Sequence, residues 1–322
     1  WHVVASAGGN DTFNSVTANA GNLNVISPTW FKLCDNEGGY TSFASADYVQ
    51  KAHDRGLEVW ALIENIEYKD SISMYEILSS TTTRQKLIDS LMNDLITYGI
   101  DGINVDFEAL SKDAGEGYIQ FIRELSLKCE NNGIVLSVDN YVPMEYNLFY
   151  DRKEQANFAD YVIIMGYDEH YAGSAEAGSV ASINFVEEGI KQTVEQVPAN
   201  KIINAVPFYT RIWSTTGTDV SSQAVGMAMA QEYIKMGFYI GVGGVVTFKN
   251  AKKLKEVVEN IPLTSIVLET DCPYMAPEPN RGKRNNSAYI CYVAEKIAEL
   301  KGITYEEVVE QTEKNARDMY CL

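Results

Sequence analysis

Apolar runs of strand length alternate with helix-period segments along nearly the whole of this 322-residue chain, and that alternation leaves few folds open. The runs are "HVVASA" (2–7), "LNVISPTW" (23–30), "LEVWALIEN" (57–65), "GINVDFEAL" (102–110), "IVLSVDNYV" (134–142), "YVIIMGYDE" (161–169), "IINAVPFY" (202–209), "FYIGVGGVV" (238–246) and "SIVLETDCP" (265–273). Their near-continuous Val/Ile/Leu cores suit parallel strands covered on both faces. The intervening segments carry helix-end signals. "TTTRQKLIDSLMNDLITYG" opens on Thr, spaces Leu87, Leu91 and Leu95 four apart, and stops at Gly99. "GYIQFIRELSLKCENNG" puts Ile119, Ile122 and Leu125 on one stripe and stops at Gly133, and Thr304 with Glu307 has capping-box spacing. The repeating βα order predicts an α/β fold, a single (β/α) TIM-type barrel over residues 1–322. Eight strands would close such a barrel, and there are nine candidates.

The net charge of −18 argues against a nucleic-acid partner, because phosphate binding needs clustered Lys and Arg. No apolar run approaches the roughly 18 residues of a membrane span, so no membrane partner is expected. The five cysteines, without CxxC spacing, predict neither a disulfide framework nor a metal knuckle, and Cys129 and Cys291 read as small buried hydrophobes. Three histidines (His2, His53, His170) form no HxH or HExxH. The opening "WHVVASAGGN" is strand-like, without a basic region or cleavage site, so any export signal is expected to have been removed or never to have existed.

"YGIDGINVDFEAL" (98–110) is the stretch with the most chemical content. Acids are rarely buried unless something pairs or uses them. On a strand over 102–108, Asn104, Asp106 and Glu108 share one face while Ile103, Val105 and Phe107 take the other. In a parallel barrel the inward face at a strand's C-terminal end opens on the active site. Neighbouring carboxyls there cannot both ionise cheaply, which suits Glu108 as a general acid. By spacing alone, a structural carboxylate pair facing water explains the pattern equally well. Among the aromatics, Trp60 reads as core. Trp30, after a Pro at a strand end, is the better sugar-stacking candidate, and Trp213 is a further one. His170 reads as a polar loop residue.

"IDGINVDFE" (100–108) resembles the signature of glycoside hydrolase family 18, the chitinase-like enzymes, which runs Asp-Gly-x-Asp-x-Asp-x-Glu on the fourth barrel strand. Asn104 stands at the middle acidic position, a departure that alters how Asp106 is held. "NVISPTWF", "SVDNYVP" and "MGYDEHYAGSAEAGSVASINFVEEGI" are similar to the spore-cortex and peptidoglycan-hydrolase branch, and the resemblance covers residues 1–235. It implies retaining, substrate-assisted hydrolysis of glycans containing β-linked N-acetylglucosamine, an exception to the two-carboxylate scheme. It also implies roles: Glu108 protonates the glycosidic oxygen, and Asp106, held by Asn104, orients the acetamide. Tyr167 bonds the acetamide oxygen, and Asp168, Asn140, Tyr141, Trp30 and Asp101 complete the binding set. The mechanism requires no metal and no organic cofactor.

Residues 236–322 resemble something else. "TFKNA", "LETDCPY", "PNRGKRN" and "AEKIAELKGI" are similar to the C-terminal end of TatD-type metal-dependent DNases, in which the Asp of "ETD" (here Asp271) belongs to the metal site. That chemistry also needs an N-terminal HxH and further histidines, which three scattered histidines do not replace, so no metal site is expected. "RGKRN" (281–285) reads as a solvated basic loop. Charge marks the same division, with 11 Lys+Arg against 12 Asp+Glu in residues 236–322 but 15 against 32 in residues 1–235. The chain is expected to be a chimera of two barrel fragments, engineered or recombined, with its seam near Gln231–Met236. The strand on which family 18 enzymes carry a subsite Trp is replaced by "FYIGVGG" or "SIVLETD", so activity is expected to be weak or lost, leaving a non-catalytic barrel as the alternative and a metal-dependent DNase as the minor one. The first part implies an extracellular or spore-associated location, the second a cytoplasmic one.

Overall fold

The computed structural model describes residues 1–18, 23–207, 209–216, 219–226, 234, 237–249, 251–270, 272 and 275–320. The chain divides into two compact units, one of residues 1–207 with 213–222, the other of residues 208–212 with 223–322. Asp271 and, apart from Ile234, the seam at 231–236 lie outside the described residues.

The first unit is built on an eight-stranded sheet. Its strands are Val25–Ile26 (β1), Phe31–Leu33 (β2), Tyr40–Ser42 (β3), Glu58–Glu64 (β4), Gly102–Asp106 (β5), Val135–Tyr141 (β6), Tyr161–Met165 (β7) and Ile202–Ala205 (β8). The order is β3-β2-β4-β5-β6-β7-β8, with β1 also on β4. Every pairing is parallel except that of β2 with β3. β1 and β2 lie along successive parts of β4, at Glu58–Val59 and Ile63–Glu64. Pro28, which has no N–H to give a ladder, interrupts them, while its carbonyl accepts from Leu62 N at 2.9 Å.

The mixed α/β class with a parallel central sheet is as the sequence predicts. Among the described residues, however, no pairing joins the two edges of the sheet, and a closed barrel is not seen. The "HVVASA" run contributes only an isolated bridge from His2 to Pro28, because the chain turns into a 3-10 segment at Ala7–Thr12. The apolar pattern does not anticipate β3, nor the paired strands Tyr209–Thr216 (β9) and Asp219–Gly226 (β10).

Helices Phe13–Thr17 (α1), Ala46–His53 (α2), Met74–Ser79 (α3), Thr81–Tyr98 (α4), Gly115–Asn132 (α5), Arg152–Phe158 (α6) and Ile183–Val194 (α7) connect the strands. Leu87, Leu91 and Leu95 of α4 are fully buried, and Gly99 ends the helix at φ 66°, a left-handed position that glycine takes without strain. The N-cap is Ser80, whose side chain accepts from Thr83 N, rather than the Thr run itself. On α5 the buried stripe is Tyr118, Phe121, Ile122, Leu125 and Cys129, with Ile119 only half-buried. The aromatic rings at i and i+3 set that face. Trp30, Phe31, Ile63, Val105 and Phe107 join the helix stripes in one core.

The second unit has a parallel pair of Ile240–Val242 (β11) and Ile266–Leu268 (β12). Its helices are Lys252–Asn260 (α8), Ile290–Lys301 (α9) and Tyr305–Tyr320 (α10). Val242, Val258, Ile266, Val293, Ile297 and Val308 form its core. The box at the start of α10 forms as spaced, with Glu307 N donating to Thr304 Oγ1 (3.2 Å) and Thr304 N to Glu307 Oε2 (2.8 Å). Asn315, 2% exposed, donates to the carbonyls of Leu263 and Ile266 and ties α10 to β12. Cys291 is half-buried, less enclosed than expected, with Sγ donating to Ala288 O at 3.3 Å. No helix among the described residues is long and apolar enough to cross a membrane.

Gly102 is required by close approach rather than by a turn. A Cβ there would lie 2.5 Å from Trp60 Cδ1, and the Trp60 ring is already stacked on Tyr161 with centroids 5.3 Å apart. Gly102→Ala is therefore expected to cost about 1–3 kcal/mol of stability by overpacking. The shift in the urea midpoint measures it, and an unchanged midpoint would show that Trp60 moves aside freely.

Candidate functional site

Parallel register aligns the acids. Glu64 pairs with Asp106 across β4–β5, and Asn104 with Ser137 across β5–β6. Alternation puts Glu64, Asp106 and Asp139 in one row at the C-terminal ends of their strands, with Asn104 and Ser137 one step below. Asn104 Nδ2 donates to Asp139 Oδ2 at 2.6 Å, and Ser137 Oγ donates to Asn104 Oδ1 at 2.7 Å. Asp139 is 2% exposed and Asn104 1%. Asp106 Oδ1 and Asp139 Oδ1 are shielded from solvent and have no hydrogen-bond partner, a condition that raises the cost of ionising either acid.

Glu108 reaches the same region by a different path from the one expected. Strand pairing stops at Asp106, Phe107 turns into the core at 1% exposure, and Ala109 takes φ 52°. The Tyr141 hydroxyl stands beside the Glu108 carboxyl and favours its charged form. Burial nonetheless pushes the Glu108 pKa above the ordinary carboxyl value, with Asp168 and Glu64 adding to the rise and Tyr141 and Lys69 opposing it. Burial, then Glu108 and Glu64, pushes Asp106 up to about 8. Burial and Asp106 hold Asp139 well above the carboxylate range. The Tyr141 hydroxyl is likewise raised, by burial first and by Glu108 second.

A cavity of about 620 Å³ lies alongside, lined in part by Ala109, Tyr141, Tyr146, Tyr167, Asp168 and Tyr171. Tyr167 meets the Trp1 ring edge-on at 6.3 Å. Asp168 sits at φ 57°, a left-handed conformation that Asp tolerates better than most residues and that is often found at functional positions. Of the residues singled out from sequence, Asn104, Asp106, Glu108, Tyr141, Tyr167 and Asp168 come together here.

Three do not. Asn140 faces away from the row and exchanges two bonds with Gln155 of α6 (2.7 and 3.0 Å), since alternation along β6 gives the inner face to Asp139 and Tyr141. Asp101 precedes β5, at the opposite end from the acids, where it accepts from Val59 N and pairs with His53 Nε2, both at 2.8 Å. Trp30 is fully buried, donates Nε1 to Asn10 Oδ1 at 2.8 Å, and packs edge-on to Tyr48; it is core, not a sugar platform. Trp60, 7% exposed, is core as expected. Trp213, on β9, donates Nε1 to Gly178 O at 3.0 Å and meets the His170 ring edge-on at 6.5 Å, so it packs against the loop that follows β7.

Asp139 is the residue that sequence reading missed. Its signal was present in "LSVDNY", where period-two alternation selects Asp139 over Asn140 once the inner face is known. Arg152, fully buried in α6, was also missed; it donates Nη2 to Tyr141 O (2.9 Å) and Asn147 Oδ1 (2.8 Å) and so fixes the end of β6.

Asp106 makes folding pH-dependent in a defined direction. Its carboxyl titrates at about 8 when folded against an ordinary 3.8, so the folded chain binds the extra proton between these values and stability falls as pH rises through them. Asp106→Asn removes that contribution. The variant is expected to match the parent at pH 4 and below and to gain on it steadily towards pH 8, as read by thermal or urea unfolding. A constant difference across the range would contradict the assignment.

Residues 224–321 match the family described as TatD related DNase. The uncharacterized metal-dependent hydrolase YabD of Bacillus subtilis is 54% identical over 92 residues, 29% of this chain and 36% of that protein. The uncharacterized glycosylase YvbX of Bacillus subtilis is 27% identical over 231 residues, 67% of this chain and 65% of that protein. The crystal structure of the putative sporulation-specific glycosylase YdhD from Bacillus subtilis superposes with a TM-score of 0.60 at 26% identity, covering 66% of this chain and 72% of that one. The chain thus spans about a third of the hydrolase and just under two thirds of the glycosylase. It is a composite, glycosylase-like in its first part and similar to TatD-type hydrolases in its last.

Proposed function

We propose that the glycosylase-like part hydrolyses glycans containing β-linked N-acetylglucosamine, with Glu108 as the general acid. The observation that carries this reading is the Glu108 carboxyl, its pKa raised by burial, next to the Tyr141 hydroxyl and beside a cavity whose walls include Tyr141, Tyr167 and Asp168. Glu108 gives its proton to the glycosidic oxygen as the bond to the anomeric carbon breaks. The acetamide oxygen of the same sugar attacks that carbon and closes an oxazolinium ring. Asp106 faces the acetamide nitrogen, and the positive charge growing there favours its ionised form. Tyr167 donates to the acetamide oxygen and Asp168 accepts from sugar hydroxyls. Water then opens the ring, Glu108 takes the proton back, and the anomeric configuration is retained. Asn104 acts indirectly, by holding Asp139 next to Asp106.

A second reading, a folded chain without turnover, is favoured by the match of residues 224–321 to a different family. The positions at which the family 18 resemblance expects a closing strand and its Trp carry foreign sequence, and errors of about 1 Å in positioning can cost on the order of 100-fold in rate. The TatD resemblance implies a metal; no group of three or more His, Cys, Asp or Glu side chains among the described residues is placed to hold one, and Asp271 lies outside those residues.

Hydrolysis of a fluorogenic N-acetylglucosamine oligomer tests the proposal. Glu108→Gln is expected to lower turnover by about 100-fold or more and a chelator to leave it unchanged. The rate is expected to fall on the alkaline side as Glu108 loses its proton. No turnover from a cooperatively folded chain that still binds the oligomer would establish the second reading.

A further inference from the structure

Glu108 lies beyond the last rung of β5, so its backbone needs partners that the strand ladder does not supply. The β4–β5 pairing ends at Glu64 and Asp106. Past that point β4 turns off, and the amides of Ile66 and Glu67 are taken by the Glu64 carboxylate. One side chain then meets both backbone groups of Glu108. Asn65 Oδ1 accepts from Glu108 N at 2.8 Å, and Asn65 Nδ2 donates to Glu108 O at 2.8 Å. Asn65 is 3% exposed, so water does not compete for these bonds.

An amide side chain offers one donor and one acceptor in the spacing of a peptide group. Asn65 therefore reproduces the two bonds that a paired strand residue would exchange. The next amides are held separately, Ala109 N by Tyr141 Oη and Leu110 N by Tyr150 Oη, each at 3.2 Å, while Tyr150 Oη donates to Phe107 O at 3.0 Å. Without Asn65, nothing among these contacts holds Glu108's own peptide groups.

We propose that Asn65 is a positioning residue that carries the β4–β5 ladder one step past the end of the strands and so holds Glu108 beside the cavity. The inference rests on Glu108 being the general acid only for its effect on turnover; the clamp itself is a property of the fold. Asn65→Ala removes both bonds. Asn65→Asp keeps the acceptor, loses the donor when ionised, and sets another charge beside Glu64 and Glu108. It is the second variant, used if the alanine chain does not fold cooperatively.

The test has three readouts on parent and variant. Amide exchange at Glu108 is expected to accelerate about tenfold or more in Asn65→Ala, with exchange at Leu62 and Ile63 unchanged. The Glu108 carboxyl, followed by carbon NMR, is expected to titrate closer to the ordinary Glu range as it gains access to water. With the fluorogenic oligomer, kcat is expected to fall on the order of 100-fold while KM moves less than about threefold, the pattern of a misplaced acid rather than lost binding. Asn65→Asp is expected to retain slow exchange at Glu108 while shifting the carboxyl titration upward. Unchanged exchange and titration in Asn65→Ala, or, where only Asn65→Asp folds, fast exchange at Glu108 or an unshifted Glu108 titration in that variant, would overturn the proposal. A parent chain with no turnover would defeat the glycosidase reading alone, since exchange and titration still decide the clamp.

Discussion

The parallel register of β4, β5 and β6 is the constraint on which the site depends. It sets Glu64, Asp106 and Asp139 side by side, and no loop conformation can separate them without breaking the sheet. Asp106 and Asp139, buried next to one another, cannot both ionise cheaply, so these two keep protons that isolated carboxyls would lose. The electrostatics of the cavity follow from strand alignment before any substrate is considered.

What surrounds the row is built to hold it under that load. Asn104 donates to Asp139 from below, Ser137 satisfies Asn104, and Arg152 secures the β6 terminus from behind by bonding carbonyl and amide oxygens instead of a carboxylate. Burial pulls the Arg152 guanidinium down to about 10, so it is itself held at some cost. Tyr118 and Tyr150 pack against one another on the same side with centroids 5.6 Å apart. The polar interior is continuous but not fully satisfied, since Asp106 Oδ1, Asp139 Oδ1, Tyr118 Oη and Arg152 Nε are buried without a hydrogen-bond partner.

Much of this was legible in the sequence, and the failures have definite causes. The strand runs, the helix stripe through Leu87, Leu91 and Leu95, the Gly99 and Gly133 stops, and the gathering of Asp106 and Glu108 all follow from periodicity and propensity. Asn140 comes in with the family resemblance, and periodicity does not correct it to Asp139, because a short strand shows its alternation but not which face is inner. That assignment comes from the neighbouring strands. Trp30 stands after a strand end as expected, but its ring faces the core, and sequence position does not show that; Asp101 precedes β5 and so lies at the end away from the acids. Asn65 gave no signal at all, because a side chain that stands in for backbone leaves no periodic trace.

The edge of the first unit's sheet gives the composite chain a further meaning. β8 lies three strands from β5 in the pairing order, and among the described residues it pairs only with β7. Everything that fixes the acids relative to one another, from Glu64 to Asp168, is encoded before it. A chain can therefore change ancestry after β8 without altering one rung of the acid row. In such a sheet the reacting groups are inherited as a block, and a change of ancestry after β8 leaves the acid row and the cavity lining, from Ala109 to Phe185, in one piece.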